Sequence, residues 1–250
     1  MEKRRLIDTL LCQAGIHESR YHLSTEDYCR MAETFANVSG GIAVISNFRD
    51  NNAYVYAGTF GQSLNMDPFT ELESAFEDCV FSYIEPSDLT DRHILEIRFI
   101  GFIKTLPIDH RTDYIHLCRL NMTVGDRKFS VLHHTRYLEI LPNGCIALAI
   151  CTYVPFGNVR KNEFEGEIIN MNTGIPLNRH QIKGVDNEIL SRREREILHI
   201  ISEGSGSKQI SDKLHISLNT VYRHRQNILH KLNAVNTAEA VKIGLRMHLI

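Results

Sequence analysis

Three β-rich runs follow one another with almost no chain between them: DYIHLCRLNMTV, RKFSVLHHTRYLEIL and GCIALAICTYV, within residues 113–154. Only Gly125-Asp126 and Pro142-Asn143-Gly144 part them. Both are tight-turn sequences. A turn that short returns the chain alongside itself, whereas a parallel connection needs a crossover of a dozen residues or more. The three runs must therefore lie antiparallel. Upstream, GIAVISNF (Gly41–Phe48) and NAYVYAG (Asn52–Gly58) flank another polar turn, Arg49-Asp50-Asn51. From Phe60 to about Leu106 the pattern is mixed helix and loop, including VFSYIEPSDL and HILEIRFIGFIKTL. Two strands, a helical insertion and a three-stranded meander predict an α+β domain of about 120 residues.

Ahead of it, residues 1–37 carry two amphipathic segments that predict N-terminal helices. Glu2–Ala14 has Leu6, Ile7, Leu10 and Leu11 at helical spacing. Ser24–Asn37 opens with a Ser-x-x-Asp cap signal and is expected to bury Tyr28, Met31 and Phe35. The basic opening residues are followed by a short apolar run that Asp8 interrupts, without a cleavage signal; this favours a helix over a signal peptide. No run approaches the roughly 18 apolar residues of a transmembrane helix. A cytoplasmic protein without a membrane partner is expected.

Charge is unevenly placed. Residues 189–250 hold ten Lys and Arg against five Asp and Glu, whereas residues 1–188 hold 18 against 25. A basic module is thus joined to a mildly acidic one, which the formal net charge of −2 conceals. Residues 172–187, NTGIPLNRHQIKGVDN, read as the linker between a domain over 38–171 and one over 188–250.

The basic module is helical by pattern. Ser191-Arg192-Arg193-Glu194 is a capping box. Ile197, Leu198 and Ile201 form the apolar stripe of that helix, and Gly204 stops it. Ser207 is placed to cap a short second helix that buries Ile210 and Leu214. His215-Ile216 turns the chain into a third helix, about 218–232, and a fourth begins near Thr237. Four short helices with a tight turn between the second and third predict a helix-turn-helix unit. On the third helix, at about 100° per residue, Val221, Ile228 and Leu232 point to a core. Asn219, Tyr222, Arg223, Gln226 and His230 form the opposite face, which contains no acid. Such a face suits the DNA major groove, where Arg pairs with guanine and Gln with adenine. Thr220, His224, Asn227 and Lys231 lie to one side, toward phosphates.

LSRREREIL, GSGSKQISDKLHIS and NTVYRHRQNILHKL together closely resemble the LuxR/FixJ-type helix-turn-helix of bacterial transcription regulators, over residues 190 to about 245. The resemblance implies a homodimer on double-stranded DNA, with the third helix in the major groove. Tyr222, Arg223 and Gln226 would face bases, with Asn219 beside them. Lys208, Thr220, His224, Asn227 and Lys231 would meet the DNA backbone or support the motif. Ala238, Val241 and Leu245 on the fourth helix would form the dimer contact. This chain departs from the pattern at three points. Tyr222 stands where lysine is usual, Ser211 replaces alanine, and Arg225 falls near the core side, where it would snorkel outward or loosen the packing.

The order of elements over roughly 38–165 resembles the PAS sensory fold, and Val80–Leu89 contains its I-x-P-x-D segment. The fold class is therefore α+β: a PAS-like antiparallel sheet domain followed by an all-α four-helix domain. A cup lined by Ile42, Val44, Tyr54 and Leu148 would hold a small apolar ligand; equally, it would be a filled core that serves only dimerisation. Receiver domains need parallel βα repeats, and the lactone sensors of the family carry a pocket tryptophan that this chain lacks.

No catalytic constellation or cofactor motif is recognisable. GSGSK joins two helices and lacks the P-loop spacing. The six cysteines show no metal-ligand spacing, and reduced thiols are expected, with a Cys145–Cys151 pair conceivable from strand parity. Adjacent strand residues His133 and His134 point to opposite faces and cannot chelate one metal together. Some PAS relatives hold haem through a histidine, and His116 or His133 could serve in that way, though a packed or solvent-facing imidazole is the commoner case. The competing class is a sensory or enzymatic protein whose helical tail binds a protein partner.

Overall fold

The computed structural model describes residues 23–157, 166–232 and 234–250. The expected Glu2–Ala14 helix lies outside the described residues. The chain divides into two compact units, one built on a β-sheet and one containing Asn178–Ile250.

Helix α1 (Thr25–Ser39) starts at the expected signal: Ser24 Oγ accepts from the Asp27 N–H, and the Asp27 carboxylate accepts the Ser24 N–H at 2.9 Å. Its inward face differs from expectation. Met31 and Phe35 are 52% and 38% exposed, whereas Ala32 and Ala36 are buried and Tyr28 only partly so. Alanine carries too little side chain to hold a helix off a sheet. The helix therefore approaches on its alanine side, and the larger residues turn outward.

The elements that follow are β1 (Ile42–Asn47), β2 (Asn52–Ala57), α2 (Thr59–Ser63), β3 (Phe69–Leu72), α3 (Asp78–Phe81) and α4 (Pro86–Thr105). After a 3-10 turn come β4 (Tyr114–Val124), β5 (Arg127–Ile140), β6 (Ile146–Pro155) and β7 (Gly166–Asn170). The seven strands form one antiparallel sheet in the order β3-β2-β1-β6-β5-β4-β7. The expected meander is its centre. Gly125 (φ 57°) and Gly144 (φ 85°) turn it in the left-handed region, where glycine is unstrained. The edge strands β3 and β7 have no counterpart in the sequence reading.

Side chains alternate across the sheet. Ala43, Ile45 and Leu148, with Tyr54, pack beneath α1. The opposite face carries His116, His133 and Tyr137 and is covered by α4, whose Phe99 stacks on Tyr137 and meets His116 edge-on. Asp88 of the I-x-P-x-D segment fixes α4 to this sheet: its Oδ2 accepts the Asn121 N–H of β4 at 2.7 Å. Cys29, Cys79, Cys118 and Cys151 form no disulfide, so no Cys145–Cys151 pair exists. Cys145 is disulfide-bonded, which corrects the expectation of a reduced thiol there.

In the second unit, residues expected to be linker form helix α5 (Arg179–Ile189), with Val185 buried. Asn178 caps it by accepting from the N–H groups of His180 and Gln181. Then come α6 (Arg192–Ser202), α7 (Ser207–Leu214), α8 (Leu218–Lys231) and α9 (Thr237–Arg246). The Ser191–Glu194 capping box is present, and Gly204 leaves α6 at φ 89°. Three details differ from expectation. Ile200 rather than Ile201 joins Ile197 and Leu198 in the core, and Leu214 is only half-buried. The cap of α7 is Gly206, whose N–H the Gln209 side chain accepts at 2.8 Å, while Ser207 is the first helical residue.

Candidate nucleic-acid interface

The third helix of the expected motif, α8, is positioned by a turn that its sequence dictates. His215 adopts φ 51°, ending α7 in a left-handed residue. Ser211 Oγ donates to the Ile216 carbonyl at 2.6 Å, so the residue that replaces alanine also braces the turn. Ser217 then caps α8, accepting from the Thr220 N–H at 3.1 Å. Val221, Ile228 and Leu232 are buried. Asn219, Tyr222, Arg223, Gln226 and His230 are all exposed, Tyr222 at 49%. The sequence and the structure therefore agree on which side of α8 is presented.

The cations of this unit fall into two groups. One group is committed to the fold. Arg193 donates to the Leu214 carbonyl at 2.9 Å and pairs with Glu196 at 2.7 Å. Lys213 pairs with Glu203 at 3.3 Å. Lys231, expected at a phosphate or in support of the motif, lies 2.7 Å from Glu194 Oε2 and so ties the end of α8 to the capping box of α6. Burial pushes the Glu194 carboxyl up, but the hydrogen bonds from Lys231 and Ser191 outweigh it and hold the group below its ordinary range. Arg225 neither snorkels to solvent nor loosens the core. Its guanidinium donates to Ser207 Oγ at 3.3 Å and to Thr237 Oγ1 at 2.9 Å, joining α8 to the starts of α7 and α9. The sequence signal for this was its spacing, four residues beyond Val221 and three before Ile228.

The other group is uncommitted. Among the described residues, no ion pair engages Arg223 or Lys208, and both are exposed. Asn227 is exposed as well. Thr220 Oγ1 sits 2.8 Å from Ser217 Oγ within the cap, and His224 is half-buried with its Nδ1 unpartnered. On α9, Ala238 and Leu245 are exposed and Val241 half-buried, while Ala240, Ile243 and Gly244 form the inward side. Gly244 allows close approach there: a Cβ would stand 2.8 Å from Leu198 Cδ2.

In the sheet unit, the four residues expected to line one cup do not share a surface. Val44 is in register with Val55 and Cys151 and lies with Ile42 on the α4 side. Tyr54 and Leu148 project to the α1 side. The alternation of β-strands separates them. What the α4 side holds instead is a buried polar cluster. Arg92, 2% exposed, donates to Glu96 at 2.7 Å and lies 3.5 Å from Glu77, and its Nε donates to His133 Nε2 at 3.2 Å. Tyr153 donates to Glu77 at 3.0 Å. Burial, then the neighbouring Arg92 charge, holds the His116 and His133 imidazoles well below their ordinary range, so both are neutral. No helix among the described residues is long and apolar enough to cross a membrane.

Residues 188–243 match the family model of bacterial regulatory proteins, luxR family. The oxygen regulatory protein NreC of Staphylococcus carnosus is 44% identical over 62 residues, 25% of this chain and 29% of that protein. NreC of Staphylococcus aureus is 41% identical over 63 residues, with the same coverage of 25% and 29%. The chain thus spans less than a third of the length of these curated relatives. Among solved structures, a Vibrio cholera VqmA-ligand-DNA complex is 15% identical over 90% of this chain and 88% of that one, with a TM-score of 0.27. Escherichia coli SdiA is 18% identical over 92% and 93%, with a TM-score of 0.24.

Proposed function

Residues 188–243 form a LuxR-family helix-turn-helix domain, and from that premise we propose that the protein is a sequence-specific transcription regulator that lays α8 in the major groove of double-stranded DNA. The carrying observation is the division of α8: an apolar side anchored by Val221 and Ile228, and an exposed side with Tyr222, Arg223 and Gln226, no acid, and an arginine that no ion pair claims among the described residues. Arg223 and Gln226 have the donors and acceptors to read base edges, with Asn219 and Tyr222 beside them. Lys208 and Asn227 are the backbone contacts in this reading, with Thr220 and His224 supporting the helix start and middle. Lys231, engaged by Glu194, supports the motif rather than meeting a phosphate. The exposed line Ala238, Val241 and Leu245 is the proposed contact between two copies on a roughly palindromic operator. The sheet domain, with its antiparallel meander and α4 insertion, is the proposed PAS-like module for sensing or dimerisation.

Selection of bound duplexes from a random pool, followed by mobility-shift titration, tests this. The double variant Arg223→Ala, Gln226→Ala should lose discrimination at one or two base pairs, and wild-type affinity should fall steeply with salt. Unchanged specificity in that variant sinks the groove assignment.

A further inference from the structure

On the inner face of the sheet, among the described residues, two buried side chains carry polar atoms without a hydrogen-bond partner, the Tyr137 hydroxyl and the His116 ring. His116 is fully buried, and neither of its ring nitrogens has a hydrogen-bond partner among the described residues. Buried polar atoms are nearly always satisfied in native proteins, so an imidazole with both nitrogens idle points to a missing partner.

His116 and Cys118 stand two residues apart on β4 and project from the same face. Cys118 is in register with His133 on β5. The donor atoms of these three residues lie within 4.8 Å of one another, and all three residues are buried. His133 is already set in the tautomer that a metal ligand needs. Its Nδ1 lies 3.1 Å from the Thr152 carbonyl oxygen, which can only accept, so the proton sits on Nδ1 and the lone pair on Nε2. A ligating histidine whose other nitrogen donates to a backbone carbonyl is the usual outer-shell arrangement of a metal site.

Nε2 of His133 now accepts from Arg92 Nε at 3.2 Å and lies 3.1 Å from Thr135 Oγ1. Arg92 keeps Glu96 and Glu77 as partners if that one bond is surrendered.

We infer that His116, Cys118 and His133 bind a thiophilic transition-metal ion of the zinc class inside the sheet domain. Two imidazoles and one thiolate are ligands that such ions favour over magnesium or calcium. Cys118 gives its proton to solvent as the sulfur–metal bond forms, and no oxidation accompanies binding. The inference does not depend on DNA binding by the helical domain.

The test uses the full chain, stripped with a chelator under reducing conditions and titrated with Co2+ as a spectroscopic stand-in for Zn2+. The expected result is one equivalent bound, with a thiolate-to-cobalt charge-transfer band that Zn2+ abolishes by displacement. Cys118→Ser should remove that band, His116→Gln should weaken binding by more than about tenfold, and Cys29→Ser, on the α1 side, should leave both unchanged. Circular dichroism establishes that each variant is folded. A second measurement needs no variant: X-ray absorption of the zinc-loaded wild-type chain should show one sulfur and two imidazole neighbours. Absence of the charge-transfer band in the wild-type chain, its persistence in folded Cys118→Ser, or a zinc shell without sulfur overturns the inference.

Discussion

Arg92 and Arg223 occupy opposite circumstances. Arg92 is 2% exposed and held by Glu96 and Glu77 inside the sheet unit. Arg223 is exposed on α8, and no ion pair among the described residues engages it. The first charge is spent on the fold, and the second is available to a partner. The difference shows why net charge conveys little here: what identifies an interface is whether a cation already has a protein partner. The helical unit contains both kinds, with Arg193, Arg225 and Lys231 committed inward and Arg223 and Lys208 not.

Substitution at Arg92 should break this comparison most sharply. Arg92→Met leaves Glu96 and Glu77 buried without their cation and is expected to cost about 3–5 kcal/mol, read by urea unfolding of the full chain. Adding Glu96→Leu to that variant should recover part of the loss; a cost below about 1 kcal/mol for Arg92→Met would show that the cluster is not what holds α4 down. Next, Arg223→Ala and Gln226→Ala should each cost about 1–3 kcal/mol in operator binding while leaving the unfolding midpoint in place. Equal losses of stability and affinity would erase the distinction between the two kinds of cation.

Smaller effects sharpen the division within the helical unit. Ser191→Ala removes the cap of α6 and should cost about 1 kcal/mol of stability. Glu194→Gln keeps the cap geometry and loses the charge that Lys231 meets. Because the folded carboxyl lies below its ordinary value of 4.5, its contribution is present above that pH and is lost as pH falls through the lowered folded value. The stability gap between wild type and Glu194→Gln should therefore stand at neutral pH and close in acid. Arg225→Lys gives up the fork between Ser207 and Thr237 and should cost about 1 kcal/mol or less. Smallest of all, Lys208→Ala should lower the slope of log affinity against log salt by about 1, whereas Lys231→Ala should leave that slope unchanged.

Much of this architecture was legible in the sequence, for reasons particular residues make plain. Gly125-Asp126 and Pro142-Asn143-Gly144 allow only a hairpin, so the centre of the sheet followed from them. The presented side of α8 followed from the spacing of Val221, Ile228 and Leu232. The misses have physical causes. Phe69–Leu72 is too short and half-exposed to show a strand pattern, yet it hydrogen-bonds to β2. Helix α5 contains Gly184 and few apolar residues, so its periodicity is faint, although Asn178 and Gln181 cap it. On α1, Met31 and Phe35 share a helical spacing, but small Ala32 and Ala36 decide how near the helix can lie. Strand parity parts Val44 from Tyr54, so the four residues expected to line one cup fall on two faces of the sheet.

The tie made by Arg225 has a consequence for how such a chain can diverge. Because one guanidinium anchors α8 to two neighbouring helix starts from behind, the outward positions 219, 222, 223 and 226 carry no part of the mounting. Exchanging them leaves that bracket in place, so the presented face of α8 can be altered one side chain at a time without refitting the bundle.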